Sequence, residues 1–179
     1  MSRPLLAVAL ALALPLAACG GGDKSSETPA QPAATATATP TAAAAVAALA
    51  DSISKDRSKK PQLGIPEGAT PSRFTERDIV KGTGRRAKPG DTVQVQYVGS
   101  SWSTGSEFDA SWDKGQPFSF PLGQGQVIPG WDKGVAGMRV GGRRLLVIPP
   151  AMGYGAQGSP PAIKPNETLA FVVDLEAVK

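Results

Sequence analysis

The sequence contains no histidine, and its one cysteine, Cys19, lies near the N-terminus. These absences exclude an imidazole base, a Cys–His nucleophile pair and a metal site built from imidazole and thiolate. A single cysteine also leaves no disulfide within the chain. No phosphate-cradling glycine loop is present. The longest apolar run, Leu5 to Ala18, falls short of the roughly 20 residues that a transmembrane helix needs. Charge of one sign is scarce too: nineteen Lys and Arg stand against fifteen Asp and Glu, a net of +4. That excess forms no basic stripe interleaved with aromatics, so no nucleic-acid partner is expected. Chemistry in this chain must come from shape, binding and electrostatics, with no cofactor and no metal.

What is present is unevenly distributed. Arg3 precedes the apolar run, which ends Leu16-Ala17-Ala18-Cys19-Gly20. The run suits a signal peptide over residues 1–18. Small residues directly before Cys19 resemble the lipobox of bacterial lipoproteins, which implies that the Cys19 thiol carries the lipid (palmitate-type) anchor. More than one acyl chain is needed for stable anchoring, since each buried methylene contributes about 0.8 kcal/mol. The expected location is the cell envelope, bound to the membrane. Gly20, rather than an aspartate, favours the periplasmic side of the outer membrane if there are two membranes.

Residues 19–70 read as a low-complexity tether. Gly, Ser, Thr, Pro and Ala up to about Pro40 cannot bury enough surface to offset ordering entropy, which predicts disorder. Val46, Leu49 and Ile53, spaced by three and four, mark a short helix near 42–54 or further linker. The cluster Lys55, Arg57, Lys59 and Lys60 reads as a solvated charge run.

The aromatics fall between Phe74 and Phe171, and one domain over 71–179 follows. Lys88-Pro89-Gly90-Asp91 fits a type II turn. Val93, Val95 and Tyr97 alternate with glutamines as a half-buried strand does, and Phe118 and Phe120 alternate around Ser119. Pro129-Gly130-Trp131 opens a short helix to about Ala136, with proline at the first helical position. Arg143 to Ile148 is an apolar strand begun by two arginines read as solvated. Leu169 to Val178 is a closing strand. Five or so antiparallel strands around one short helix make a small α+β domain.

One series of motifs runs through this domain: Tyr97-Val98-Gly99, Glu107-Phe108-Asp109-Ala110, Gln116-Pro117-Phe118-Ser119-Phe120, Val127-Ile128-Pro129-Gly130-Trp131, Tyr154-Gly155 and Leu169-Ala170-Phe171. In order and spacing it resembles the FKBP-type peptidyl-prolyl isomerases over Phe74 to Lys179. The resemblance implies a twisted antiparallel half-barrel sheet wrapped around the short helix, with an apolar pocket between them. It implies Trp131 as the pocket floor and Tyr97, Phe108 and Phe171 as walls. Phe120, Val127 and Ile163 match further substrate-binding positions, with Phe118 undecided between pocket and core. Asp109, Tyr154, Ile128 and Tyr97 match the catalytic positions: a carboxylate facing the pocket, a hydroxyl and a backbone N–H that hold carbonyl oxygens, and a tyrosine bonding towards Asp109.

The physics of the implied reaction suits the composition. Rotating an amide must break resonance worth about 18–20 kcal/mol. At Xaa-Pro bonds both isomers are accessible, and their exchange is a slow folding step. The twisted transition state has lost conjugation and much of its dipole, so an aromatic-walled cavity favours it over the solvated planar amide. No nucleophile is needed. The implied partners are proline-containing peptides, unfolded proteins and macrolide inhibitors. The implied role is folding of envelope proteins, the alternative being a peptide-binding chaperone module with little catalysis. No dimerisation arm precedes the domain, which predicts a monomer. Two departures stand out. Lys114 occupies a position where an arginine commonly pairs with the pocket carboxylate, and a lysine cannot fork bidentately. Ala162 makes one rim smaller, which bears on macrolide affinity.

Overall fold

The structure is a computed structural model that describes residues 39–179. The expected signal peptide 1–18, Cys19 and the tether up to residue 38 lie outside the described residues. No helix among the described residues is long and apolar enough to cross a membrane.

Helix α1 spans Ala42–Ser52 and is followed by strands β1 (Thr75–Val80), β2 (Thr92–Ser101), β3 (Glu107–Ala110) and β4 (Phe118–Pro121). Helix α2 (Pro129–Val135), β5 (Arg143–Ile148) and β6 (Leu169–Val178) complete the order. The strands form one antiparallel sheet in the order β1-β5-β6-β2-β3, with β4 also on β2. The expected antiparallel sheet around one short helix is therefore present, with six strands in five positions. β3 and β4 share the outer edge of β2: Thr92–Val95 faces β4, while Val98–Ser100 faces β3. The Pro89-Gly90 turn leads into β2, with Gly90 at φ 95° and the Asp91 N–H bonded to the Lys88 carbonyl at 3.0 Å.

Period-two alternation divides the apolar residues between two faces. On the concave face Val93, Val95, Tyr97, Leu146, Ile148, Phe171, Val173 and Leu175 pack with Trp131 and Val135 of α2. Each large apolar side chain buried there contributes about 1.5–3 kcal/mol. Proline at the start of α2 presets its first turn, and Gly130 and Gly134 bring the helix onto β5. A Cβ on Gly130 would stand 2.6 Å from Ile148 Cγ2, and one on Gly134 would stand 2.5 Å from Leu146 Cδ2.

The opposite face is also covered. Leu145, Val147, Ala170, Val172 and Trp102 are buried beneath Ala45, Val46, Leu49, Ala50 and Ile53. The Ala-rich segment is thus a docked helix, with Thr41 capping its N-terminus through the Ala44 N–H at 3.3 Å. Tertiary burial supplies what so short a helix lacks in isolation.

The reading of Arg143 and Arg144 as solvated is corrected by the structure. Arg143 is fully buried, and its Nε and Nη2 hold the Asp174 carboxylate at 2.6 and 2.7 Å. Its remaining donors reach the carbonyls of Ser54, Asp56 and Lys59, so the segment after α1 closes over it. Arg144 points to the concave side, bonding Asp78 at 2.6 Å and the Gly134 carbonyl of α2 at 2.9 Å. The basic run is likewise only partly solvated, since Arg57 pairs with Glu176 and Lys60 with Glu107 and Asp113.

Candidate active site

The cleft between the concave face and α2 has a volume of about 610 Å³. Its base is Trp131, which α2 presents from its first turn. The indole meets Tyr97 edge-on at 4.9 Å between ring centroids and Phe171 at 5.3 Å. Phe108 meets Phe171 edge-on at 5.5 Å, closing one wall. Such edge-to-face pairs fix ring orientation beyond the contact area they bury. Gly99 makes this wall possible, because a Cβ there would stand 2.6 Å from the Phe171 ring and 2.9 Å from that of Phe108.

Opposite lies the loop joining β4 to α2. Gly123 and Gly125 adopt φ 75° and 67°, a region that side chains disfavour. Both glycine N–H groups donate to the carboxylate of Asp132 in the first turn of α2, at 2.8 and 2.9 Å. This clamp sets the approach to Val127 and Ile128, which line the cleft. Among the described residues the Ile128 N–H donates to no protein acceptor, while the Ile128 carbonyl accepts from Trp131 at 2.9 Å.

The polar groups are few and fixed. Asp109 accepts from the Tyr97 hydroxyl on one oxygen and from Lys114 Nζ at 2.7 Å on the other. Burial works against its charge, but the Lys114 and Tyr97 hydrogen bonds outweigh burial and hold the carboxyl below its ordinary value. Burial, then the hydrogen bond and charge of Asp109, push the Tyr97 phenol well up. Tyr154 is raised as well, by burial first and the Asp109 charge second. Both phenols therefore remain protonated donors at neutral pH. Tyr154 stands 41% exposed at the mouth, placed by the loop after the 3-10 turn Pro150–Met152.

Of the residues singled out from the sequence, Tyr97, Phe108, Asp109, Val127, Ile128, Trp131, Tyr154 and Phe171 line this cleft. Phe120 and Ile163 do not line it. They lie buried behind it at 3% and 4% exposure, Phe120 with its ring centroid 5.6 Å from that of Trp131. Phe118 lines the cleft instead, stacked on Phe120 at 5.6 Å and meeting Tyr97 edge-on at 6.0 Å. The two phenylalanines share one face of β4, and the first stands nearer the opening. Gln126 is a lining residue that sequence reasoning missed, its signal being adjacency to Val127. Ala162 lies outside the lining, whereas Lys114 is within it.

This arrangement can enclose a small apolar ring over an indole, offer donors to carbonyl oxygens and present one oriented carboxylate. Residues 83–176 match the family model described as FKBP-type peptidyl-prolyl cis-trans isomerase. An FK506-binding protein of Streptomyces anulatus is 53% identical over 121 residues, 67% of this chain and 98% of that protein. A probable FK506-binding protein of Corynebacterium glutamicum is 47% identical, over 65% of this chain and 97% of its own. Among solved structures, FkpA from Escherichia coli matches with a TM-score of 0.55 and 43% identity. That match covers 59% of this chain and 48% of the other, so this chain spans about half of that structure. With the ring-walled cleft, the family model and two relatives matched over nearly their whole length in agreement, the chain belongs to the FKBP-type peptidyl-prolyl cis-trans isomerases.

Proposed function

We propose that the cleft floored by Trp131 is where this enzyme turns Xaa-Pro bonds, and that it does so on envelope proteins from a lipid anchor at Cys19. The observation that carries the site is the pairing of an aromatic enclosure with an Asp109 carboxylate already held by Tyr97 and Lys114. The proline ring rests on the Trp131 indole between Tyr97, Phe108 and Phe171. The carbonyl preceding proline leaves water for an apolar surround, which disfavours the planar, dipolar amide more than the twisted transition state. The Ile128 N–H and the Tyr154 hydroxyl hold flanking carbonyl oxygens while the bond rotates. Asp109 stays ionised, fixing Tyr97 and setting a negative potential beside the turning amide. No proton is transferred and no covalent bond forms. The same cleft takes a macrolide such as FK506, named for the relatives, in competition with peptide.

Support for the anchor is the sequence Leu16-Ala17-Ala18-Cys19 after an apolar run begun by Arg3. Mass spectrometry of the mature N-terminus tests it: a diacylglyceryl-modified Cys19 is expected, and an unmodified residue there would refute it. The site is tested with Asp109→Asn and Tyr154→Phe in the full chain. Each variant is expected to lose roughly tenfold in kcat/KM on an Xaa-Pro peptide while keeping the wild-type circular dichroism. Wild-type rates in both would remove the cleft from catalysis.

A further inference from the structure

The N-terminal segment does more than cover the far side of the sheet. Between α1 and β1 it delivers one side chain to the strand-and-turn unit that forms a wall of the cleft. Lys60 Nζ lies 2.8 Å from Glu107 Oε1 and 2.8 Å from both carboxylate oxygens of Asp113. Glu107 opens β3, and Asp113 lies in the 3-10 turn Trp112–Lys114. Between these two anchors stand Phe108 and Asp109, and directly after them stands Lys114. Lys60 therefore ties together both ends of the segment that supplies a wall ring, the carboxylate and its cationic partner.

Lys60 is not a free surface lysine. Its side chain is 27% exposed, and its backbone is delivered by a buried fastening one residue earlier. Arg143 Nη2 donates to the Lys59 carbonyl at 3.2 Å, and Arg143 Nη1 to those of Ser54 and Asp56 at 2.6 and 3.1 Å. The guanidinium is itself locked to Asp174. The chain of contact thus runs from the buried pair on β5 and β6, through the 54–60 segment, to the rim of the cleft.

We propose that Lys60 is a positioning residue for the isomerase reaction, holding the Glu107–Lys114 segment so that Phe108, Asp109 and Lys114 keep their places. It touches neither substrate nor the turning bond. The inference rests on the reading of the cleft as the catalytic site. It makes the segment before the domain part of the enzyme, since the same fold without it would lack this clamp.

The test uses the full chain, steady-state isomerisation of an Xaa-Pro peptide and thermal melting. Lys60→Ala is expected to lower kcat/KM about fivefold, chiefly through kcat, at an unchanged melting temperature. Lys60→Arg, which can still bridge two carboxylates, is expected to recover most of the loss. Asp113→Asn reaches the same contact from the other side and is expected to act alike, with the double variant no slower than either single one. Lys59→Ala, whose exposed side chain pairs with Asp56 alone among the described residues, should leave the rate as it is. Wild-type kinetics in Lys60→Ala, or losses that multiply in the double variant, would overturn the proposal when Asp109→Asn or Tyr154→Phe is slow. If Asp109→Asn and Tyr154→Phe are both as fast as wild type, the cleft reading fails and takes this inference with it.

Discussion

At the scale of the residue, the site turns on how one carboxylate is kept charged beside an apolar cavity. Asp109 is partly withdrawn from water, a cost that its two hydrogen-bond donors outweigh. The lysine at position 114 supplies one of them, so the point charge and the Tyr97 hydroxyl divide the two oxygens between them. The sign of the pH effect follows. A carboxyl whose folded pKa is depressed gives stability that is full at neutral pH and is lost as pH falls through that folded value. The carbon-13 shift of the Asp109 carboxyl should titrate below 3.8, the ordinary aspartate value, and Lys114→Met should move the midpoint upward. A midpoint above 3.8 in the wild type would contradict the arrangement. Tyr97 and Tyr154 are raised, so kcat/KM is expected to stay flat from about pH 5 to about pH 9.

Much of this residue-level picture was legible from motif order, because Tyr97, Phe108-Asp109, Val127-Ile128, Trp131 and Tyr154 each lie in a distinctive local pattern. Phe118 and Phe120 were not separable that way. Alternation gives them the same face of a strand, and only the position of the opening relative to β4 decides which one lines it. Arg143 was misread for a related reason: what covers it comes from Ser54 to Lys59, more than eighty residues earlier in the chain.

At the scale of the element, α2 is a seven-residue helix that positions the floor of the site, and it is held at three points. Asp132 fastens its first turn to the preceding loop, Arg144 donates to the Gly134 carbonyl near its C-terminus, and two glycines seat it on β5. Helix propensity alone would favour alanine over glycine by about 1 kcal/mol. Here the methyl group would press into Leu146, which is fully buried. Gly134→Ala is therefore expected to destabilise the fold by about 1–3 kcal/mol in urea unfolding. A gain in stability would show that α2 does not lie on β5 as described. The start of α2 was legible from Pro129. The sharing of the β2 edge between β3 and β4 was not, because strand partners are chosen by long-range packing rather than by local pattern.

At the scale of the whole molecule, the sheet is covered on both sides. α2 and the cleft occupy one face, while α1 and the 54–60 segment occupy the other. The buried Arg143–Asp174 pair fastens the second covering to the sheet, since both residues belong to inner strands and the guanidinium holds the covering segment by its carbonyls. Removing one partner leaves a charge without compensation, so Arg143→Met is expected to cost about 3–5 kcal/mol in chemical denaturation. Adding Asp174→Leu should return part of that loss. A single variant as stable as the wild type would mean that the pair does not fasten the segment.

The most direct test of the central claim is exchange NMR on an Xaa-Pro peptide mixed with the isotope-labelled full chain. The account predicts faster cis–trans exchange of the peptide, with the largest shift changes at the Ile128 amide, the Gly99 amide and the Trp131 indole N–H. Unaccelerated exchange, or shift changes confined to another face of the domain, would contradict it.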